Sequence, residues 1–318
     1  MSRRKARKER PLRAGMTVSS ALGAILQDSF NDLTRWESKA RSWDDIEGVH
    51  QMRVNARRMR AALGSFRSAV GKDVSLHWSE ELRWIASQLG NARDLDVFIA
   101  EGLTPAHDQV TLAGRDELMA LAEQRRAAAY EVVGATLDSD RYAQFKRDFP
   151  EWFRAQQWEQ MDLSEKQRKN LDMKIDRYAR KLLERLDARV LETGTNLDKN
   201  DAEQMHQLRI ECKKLRYAAE FFSPIIPGLD AYTRHLKQLQ EVLGTLNDVS
   251  VMCSLLKELL AGQSDPNVFG YACAMVAWRT REGCTLLASF EKRWQAFVHQ
   301  RPSKKKGGRG SRRWERSR

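Results

Sequence analysis

Basic residues recur at helical spacing in two segments of the sequence, and each segment begins with a histidine. The first reads HQMRVNARRMRAA over residues 50–62, and the second reads HQLRIECKKLRYA over residues 206–218. At about 100° per residue, the histidine and three basic side chains of each segment share one arc of a helix, next to an apolar arc. Because arginine offers a planar fork to phosphate oxygens and lysine offers a compact charge, this pattern favours binding of a polyanion.

The candidate polyanion-binding residues occupy matching positions in the two segments and in a second pair of matched stretches. LRWIASQLGNARDLDV at 82–97 matches LKQLQEVLGTLNDVSV at 236–251, and each stretch adds one basic residue. Like charges four residues apart destabilise a helix by about 0.2–0.5 kcal/mol per pair, and a bound polyanion would relieve that repulsion. The predicted binding residues are His50, Arg53, Arg57, Arg58, Arg60, Arg83, His206, Arg209, Lys213, Lys214, Arg216 and Lys237.

Ion pairing within the protein is the competing interpretation of these basic stripes. Asp94, Asp96, Glu220 and Asp248 are available partners, and exposed pairs of this kind are common and weak. The recurrence of the histidine and the basic positions in phase favours anion binding. A metal site at Asp94 and Asp96 has little support, since the second copy carries Asp248 and Ser250 at these positions.

Two glycines, Gly90 and Gly244, interrupt helical patterns at matching positions. Glycine inside a helix costs about 1 kcal/mol relative to alanine. We therefore expect another helix to approach closely at each glycine.

Helices are predicted to position all of these residues. Apolar residues recur at helical spacing, strand patterns are weak and the chain has seven prolines. The matched stretches are offset by 156 and 154 residues, which predicts an all-α fold built from a duplicated unit of roughly four helices. Repeat one is expected at about 15–158 and repeat two at about 167–301. The predicted helices are 17–42, 46–70, 73–101, 108–137, 167–193, 201–223, 229–262 and 266–300.

The positive charge of the chain is concentrated at its two ends. Residues 1–14 carry a net charge of +6 and residues 302–318 carry +7, within a formal total of +12. These ends hold 15 of the 55 basic residues, which leaves 40 basic against 41 acidic residues in 15–301. We expect both ends to be disordered basic tails. Nucleic-acid binding through the tails is therefore the alternative function.

Other features of the sequence point to a protein of a reducing compartment. The cysteines, Cys212, Cys253, Cys273 and Cys284, lack metal-binding or redox spacing, and we expect buried free thiols in the cytoplasm. The sequence shows no signal-peptide pattern and no membrane-spanning run. It contains no phosphate-binding loop and no hydrolase or metalloprotease motif, so we expect neither catalysis nor a cofactor.

The motifs together resemble the signature of the CHAD family of histidine-containing α-helical domains. They are V-H-Q-M-R-V-x-x-R-R-M-R at 49–60 with L-G-N-A-R-D at 89–94, and M-H-Q-L-R-I-x-x-K-K-L-R at 205–216 with L-G-x-L-N-D at 243–248. The resemblance spans about 15–300. It implies two four-helix units related by pseudo-twofold symmetry around a basic central groove or pore. It also implies binding of inorganic polyphosphate by the twelve residues named above and, in bacteria, association with polyphosphate granules.

Family members are often fused to a triphosphate-tunnel domain. This sequence leaves no room for such a domain, so its hydrolase activity is not expected here.

Overall fold

A computed structural model describes residues 12–199 and 201–301, without the side chains of residues 246 and 247. The predicted tails lie outside the described residues, apart from residues 12–14. The described part of the chain is helical, which confirms the all-α prediction, and its one β-bridge belongs to no strand. The α-helices are α1 (Val18–Arg35), α2 (Glu37–Ser42), α3 (Glu47–Val70), α4 (Lys72–Gln88), α5 (Gly90–Val97), α6 (Thr104–Ala106), α7 (Arg115–Asp138), α8 (Asp140–Arg154), α9 (Glu165–Asp172), α10 (Ile175–Gly194), α11 (Ala202–Phe222), α12 (Leu229–Leu259), α13 (Pro266–Ala288) and α14 (Phe290–His299), with a π-helix at Phe98–Leu103 and a 3-10 helix at Gln157–Gln160.

Several predicted helices are confirmed as single elements, and four are interrupted. The interruptions lie at Trp36, at Leu89, at residues 173–174 and at Ser289. Trp36, Leu89 and Ser289 have ψ angles of −2°, 0° and −4°, so each tightens the last turn and redirects the next helix without a loop. Apolar periodicity continues through such a turn, and the sequence pattern therefore does not reveal it.

The two halves of the chain pack their helices in the same order. In the first half, α1 packs on α3, α3 packs on α4, and α5 packs on α7. In the second half, α10 packs on α11, α11 packs on α12, and α12 packs on α13. We call these sets copy one (α1, α3, α4, α5, α7) and copy two (α10, α11, α12, α13). The copies meet where α3 packs against α11, and these two helices carry the histidine segments.

Each copy has its own supporting layer, and the two layers differ. In copy one, α8 covers α1 and α4 with a cluster of aromatic rings, in which the Trp78 and Phe149 rings lie 4.9 Å apart at an angle of 49°. In copy two, α14 packs on α12, and its Trp294 ring leaves no room for a Cβ atom at Gly194. Buried residues of both copies form one continuous core, and this core backs the two histidine helices.

The cysteine prediction is wrong for three of the four residues. Cys212 is buried in α11, but Cys253, Cys273 and Cys284 are exposed. In α13, Tyr271 turns into the core and the cysteines occupy the opposite arc of the helix. No helix among the described residues is both long and apolar enough to cross a membrane.

Candidate anion-binding site

The first basic stripe borders the most deeply buried face of α3. Met52 and Met59 are fully buried, whereas Arg53, Arg57 and Arg60 on the adjoining arc are half-buried. Their guanidinium groups therefore lie where solvent screens charge less than it does on an open surface. The geometry places these three cations on one side of the helix, as the spacing predicts.

Arg53 is positioned by the junction between α4 and α5. Its Nη1 donates a 2.6 Å hydrogen bond to the carbonyl oxygen of Ala86, and a Cβ atom at Gly90 would lie 3.0 Å from the same nitrogen. Burial lowers the pKa of Arg53, the charge of Asp94 opposes this shift, and the charge of Arg57 adds to it. At Gly90 the close neighbour is thus the end of an arginine side chain from α3. At Gly244 the neighbour is Asp248 of the same helix, 3.6 Å from a Cβ atom, so the expected close approach of another helix is wrong there.

Arg93 is a cation of this site that sequence reasoning missed. It lies in α5, and its charge reaches both His50 and Arg53. Burial is the largest cause of the lowered pKa of His50, followed by the charge of Arg93, with a smaller contribution from Arg57. His50 is therefore mostly neutral at pH 7. The sequence contains a signal that could have identified this residue, because Arg93 belongs to the L-G-N-A-R-D motif.

Arg60 and Arg83 continue the cationic surface from α3 onto α4. The pKa of Arg60 is lowered by burial first and then by the charges of Arg83 and Arg57. Arg83 is exposed. Among the described residues, no carboxylate lies within ion-pair distance of Arg57, Arg60, Arg83 or Arg93. Copy one therefore presents a cluster of cations without ion-pair partners.

The outer cations of copy two, by contrast, have carboxylate partners. Lys214 Nζ lies 2.7 Å from Glu211 Oε1. Arg216 Nη1 and Lys237 Nζ lie 3.5 Å and 3.7 Å from Glu220 Oε1. Glu220 is one of the partners considered from the sequence, and Glu211 was missed although it lies three residues from Lys214 on the same helix. The ion-paired interpretation thus describes this part of copy two.

Arg209 and Lys213 lie on the inner side of the second stripe, toward α3. Burial lowers the pKa of Arg209, the charge of Asp248 opposes this, and the charge of Arg57 adds to it. The pKa of Lys213 falls to about 8 because of burial and the charges of Arg209, Arg57 and Arg216. Since Arg57 lies on α3 and acts on two side chains of α11, the two stripes converge where these helices pack.

Two predicted residues lie apart from this convergence. The guanidinium carbon of Arg58 lies 5.3 Å from the centre of the Phe221 ring of α11, which makes it a cation–π contact between the copies. His206 is exposed near the start of α11, unlike the half-buried His50. The histidines therefore match in sequence but differ in surroundings.

The carboxylate of Asp96 is held by an arginine and a tyrosine of α7. Its buried carboxylate accepts hydrogen bonds from Arg126 Nε and from the Tyr130 hydroxyl, both at 2.8 Å. Burial raises the pKa of Asp96, and these two hydrogen bonds oppose the shift. Within the described ranges, no three His, Cys, Asp or Glu side chains are grouped so that they could hold a metal ion.

A cleft of about 460 Å³ lies between α5, α7 and α12, beside the basic stripes. Its charged lining consists of Asp94, Arg125 and Glu258, and Arg125 Nη2 is 4.0 Å from Glu258 Oε2. Two carboxylates against one guanidinium do not favour an anion. The cleft is therefore a separate feature and does not extend the cationic surface.

Comparisons with known proteins agree with this architecture. The family model for the CHAD domain matches residues 24–257. The crystal structure of the CHAD domain from the plant Ricinus communis covers 91% of this chain and 93% of its own, with a TM-score of 0.75 and 27% identity. PptA from Streptomyces chartreusis covers 88% of this chain and 100% of its own, with a TM-score of 0.66 and 17% identity, which shows a shared fold. The comparison with curated proteins gives no match.

Proposed function

Because the chain belongs to the CHAD domain family, which is associated with polyphosphate, we propose that it binds inorganic polyphosphate and does not transform it. The observation that carries this proposal is the convergence of two basic stripes around Arg57 and Lys213 on adjacent helices. Polyphosphate is a row of anionic oxygens, which matches a row of guanidinium and ammonium groups. Binding would relieve the repulsion that the clustered cations impose on the fold.

Pseudo-twofold symmetry around one basic groove is part of the same proposal. At an isologous contact, a residue on the axis meets its own counterpart. The rings of Phe66 and Phe222, which are 156 residues apart in the chain, lie 6.1 Å apart. Arg57 and Lys213 have the same offset and interact through their charges. These pairs support an arrangement in which both stripes line a single groove.

Protonation should accompany binding. A phosphate group beside Lys213 stabilises its ammonium form and raises its pKa from about 8. The same argument applies to His50, whose pKa is lowered in the free protein. Polyphosphate binding near pH 8 is therefore expected to take up protons, which calorimetry in buffers of different ionisation enthalpy measures.

The proposal excludes a catalytic role, and this part has its own test. Among the acidic residues near the stripes, Asp96 is held by Arg126 and Tyr130, while the charges of Asp94 and Asp248 act on Arg53 and Arg209. We expect purified protein incubated with long-chain polyphosphate and Mg²⁺ or Mn²⁺ to release no orthophosphate. Release that EDTA abolishes would establish an enzyme instead.

The main experiment compares the full chain with a variant lacking residues 1–11 and 302–318. This variant keeps Leu12, which is buried, and Arg301, whose guanidinium binds the buried Asp187. Fluorescent long-chain polyphosphate is titrated into both proteins at physiological salt. We expect comparable affinities, because the proposed site lies within the described residues.

Single-stranded DNA of matched charge serves as the competing ligand. If only the full chain binds, and DNA competes equally, the tails carry the affinity and nucleic acid becomes the better candidate partner. In bacterial cells, the proposal places the protein at cytoplasmic polyphosphate granules, and a fluorescent fusion tests this location.

A further inference from the structure

One repeat position distinguishes the two halves of the cationic surface. Copy two carries Glu220 there, and its carboxylate contacts Arg216 and Lys237. Copy one carries Gly64 at the matching position, so the corresponding cations, Arg60 and Arg83, lack this partner. A glycine cannot supply a carboxylate, and the space beside Gly64 is open, with nothing within 4 Å of an ideal Cβ atom.

A second repeat position differs in the same direction. Glu211 of copy two is buried and forms an ion pair with Lys214. Its counterpart Asn55 is buried as well, but it is neutral and donates a hydrogen bond to the carbonyl oxygen of Gln51. Copy two thus places two carboxylates among its cations at positions where copy one has none.

We infer that the cationic surface is graded, with copy one as the primary phosphate subsite and copy two as a weaker extension for longer chains. This inference rests on the proposed function and adds an order of occupation to it. A short oligophosphate would occupy the surface formed by Arg53, Arg57, Arg60, Arg83 and Arg93. A longer chain would continue past Arg57 onto copy two, where Glu220 offsets part of the positive charge.

The physical argument is the net charge that an incoming phosphate meets. At Arg60 and Arg83 it meets two positive charges, and none of the carboxylates in the described part of the chain forms an ion pair with them. At Arg216 and Lys237 it meets the same number of cations plus the Glu220 carboxylate, which repels it and already contacts both donors. Such repulsion is strongest where screening is incomplete, as in a half-buried groove.

Exchange of the carboxylate between the two positions tests the grading in the full-length protein. Gly64→Glu places the copy-two group into copy one, and Gly64→Gln is the matched neutral control, since both side chains enter the same open space. Glu220→Gln removes the charge from copy two and keeps the length of the side chain. The ligand is tripolyphosphate, measured by calorimetry, with long-chain polyphosphate in parallel and circular dichroism to confirm folding.

We expect Gly64→Glu to weaken tripolyphosphate binding on the order of tenfold relative to Gly64→Gln, from the repulsion of one added charge at close range. Glu220→Gln is expected to add a second binding event. Equal affinities of the two Gly64 variants, or no second event in Glu220→Gln, would overturn the grading. Failure of the unmodified protein to bind either ligand would overturn the proposed function itself, so the two failures are distinguishable.

Discussion

Copies one and two share a helix order, a histidine motif and a basic stripe, yet their cations have different surroundings. In copy one, the charge of Arg83 acts on Arg60, and no carboxylate among the described residues lies within ion-pair distance of either side chain. In copy two, the counterparts Arg216 and Lys237 share Glu220. Two sets of helices with the same packing order can therefore differ in surface charge, because that charge depends on a few side chains, such as Glu220, and not on the order of the helices.

The same contrast extends to the central pair of basic residues. Copy one has Arg57 and copy two has Lys213 at this position. A guanidinium stays protonated at any physiological pH, whereas a buried ammonium loses its proton readily. The pKa of Lys213 is about 8, so this position loses its charge at alkaline pH, whereas Arg57 keeps its charge.

Removal of three matched cations from each copy has the largest expected effect. A variant in which Arg57, Arg60 and Arg83 are all changed to Gln should bind tripolyphosphate about a hundredfold more weakly, because each half-exposed contact contributes about 1 kcal/mol. The matched variant changes Lys213, Arg216 and Lys237 to Gln. It should weaken tripolyphosphate binding by at most about tenfold, which corresponds to the loss of about one such contact. Calorimetry measures both affinities.

Long-chain polyphosphate provides the control for this pair of variants. A chain that spans both copies contacts both sets of cations, so the difference between the two variants should shrink. If the two variants lose the same affinity for tripolyphosphate, the two copies contribute equally and form one uniform groove.

The pH dependence of binding has an intermediate expected effect. Polyphosphate stabilises the charged form of Lys213, so its contribution is fully present below pH 8 and is lost as the pH rises above that value in the free protein. We expect affinity to fall about tenfold between pH 7 and pH 10 from the loss of one charge-assisted contact. Lys213→Arg should remove this loss, because the guanidinium remains charged. An unchanged pH profile in that variant would assign the titration elsewhere.

The matched glycines give the smallest expected effect. A Cβ atom at Gly90 would lie 3.0 Å from Arg53 Nη1, whereas one at Gly244 would lie 3.6 Å from Asp248 Oδ2, an ordinary contact. Gly244→Ala should therefore raise the free energy of unfolding by about 0.4–1 kcal/mol and leave binding unchanged. Gly90→Ala should displace the guanidinium and weaken binding roughly threefold, which equals about 0.6 kcal/mol.

Thermal unfolding and polyphosphate titration of the two alanine variants separate these outcomes. If both variants bind polyphosphate equally weakly, the two glycines contribute to binding in the same way. If Gly90→Ala raises the free energy of unfolding and leaves the affinity for polyphosphate unchanged, Arg53 does not contact the ligand.

The helical fold was predictable because its main signal is local. Apolar spacing set the bounds of α3, α11 and α12 closely, and the repeated motifs predicted which helices correspond. The breaks at Leu89 and Ser289 were not predictable in this way. Their backbones stay near helical geometry, so no change in residue pattern accompanies the change in direction.

The candidate site was predictable in its cations and less so in their partners. Periodicity placed Arg53, Arg57 and Arg60 on one arc, and the structure agrees. It could not show which carboxylate reaches which cation across helices, since this depends on packing and rotamers. The contact of Glu220 with Lys237 of α12 is of that kind, while Glu211 with Lys214 was open to prediction from their spacing.

The short bridge that joins the starts of α1 and α10 bears on why the two halves can carry different residues. The amide of Val18 donates to the carbonyl of Met173, and the amide of Ile175 donates to the carbonyl of Met16, in a reciprocal pair. Two separate identical chains would meet at a dimer axis through the same kind of pair. In such a dimer, every substitution is made twice. In one continuous chain, a glutamate can be present on one side alone, as Glu220 is in copy two, so the two sides of this bridge need not carry the same charge.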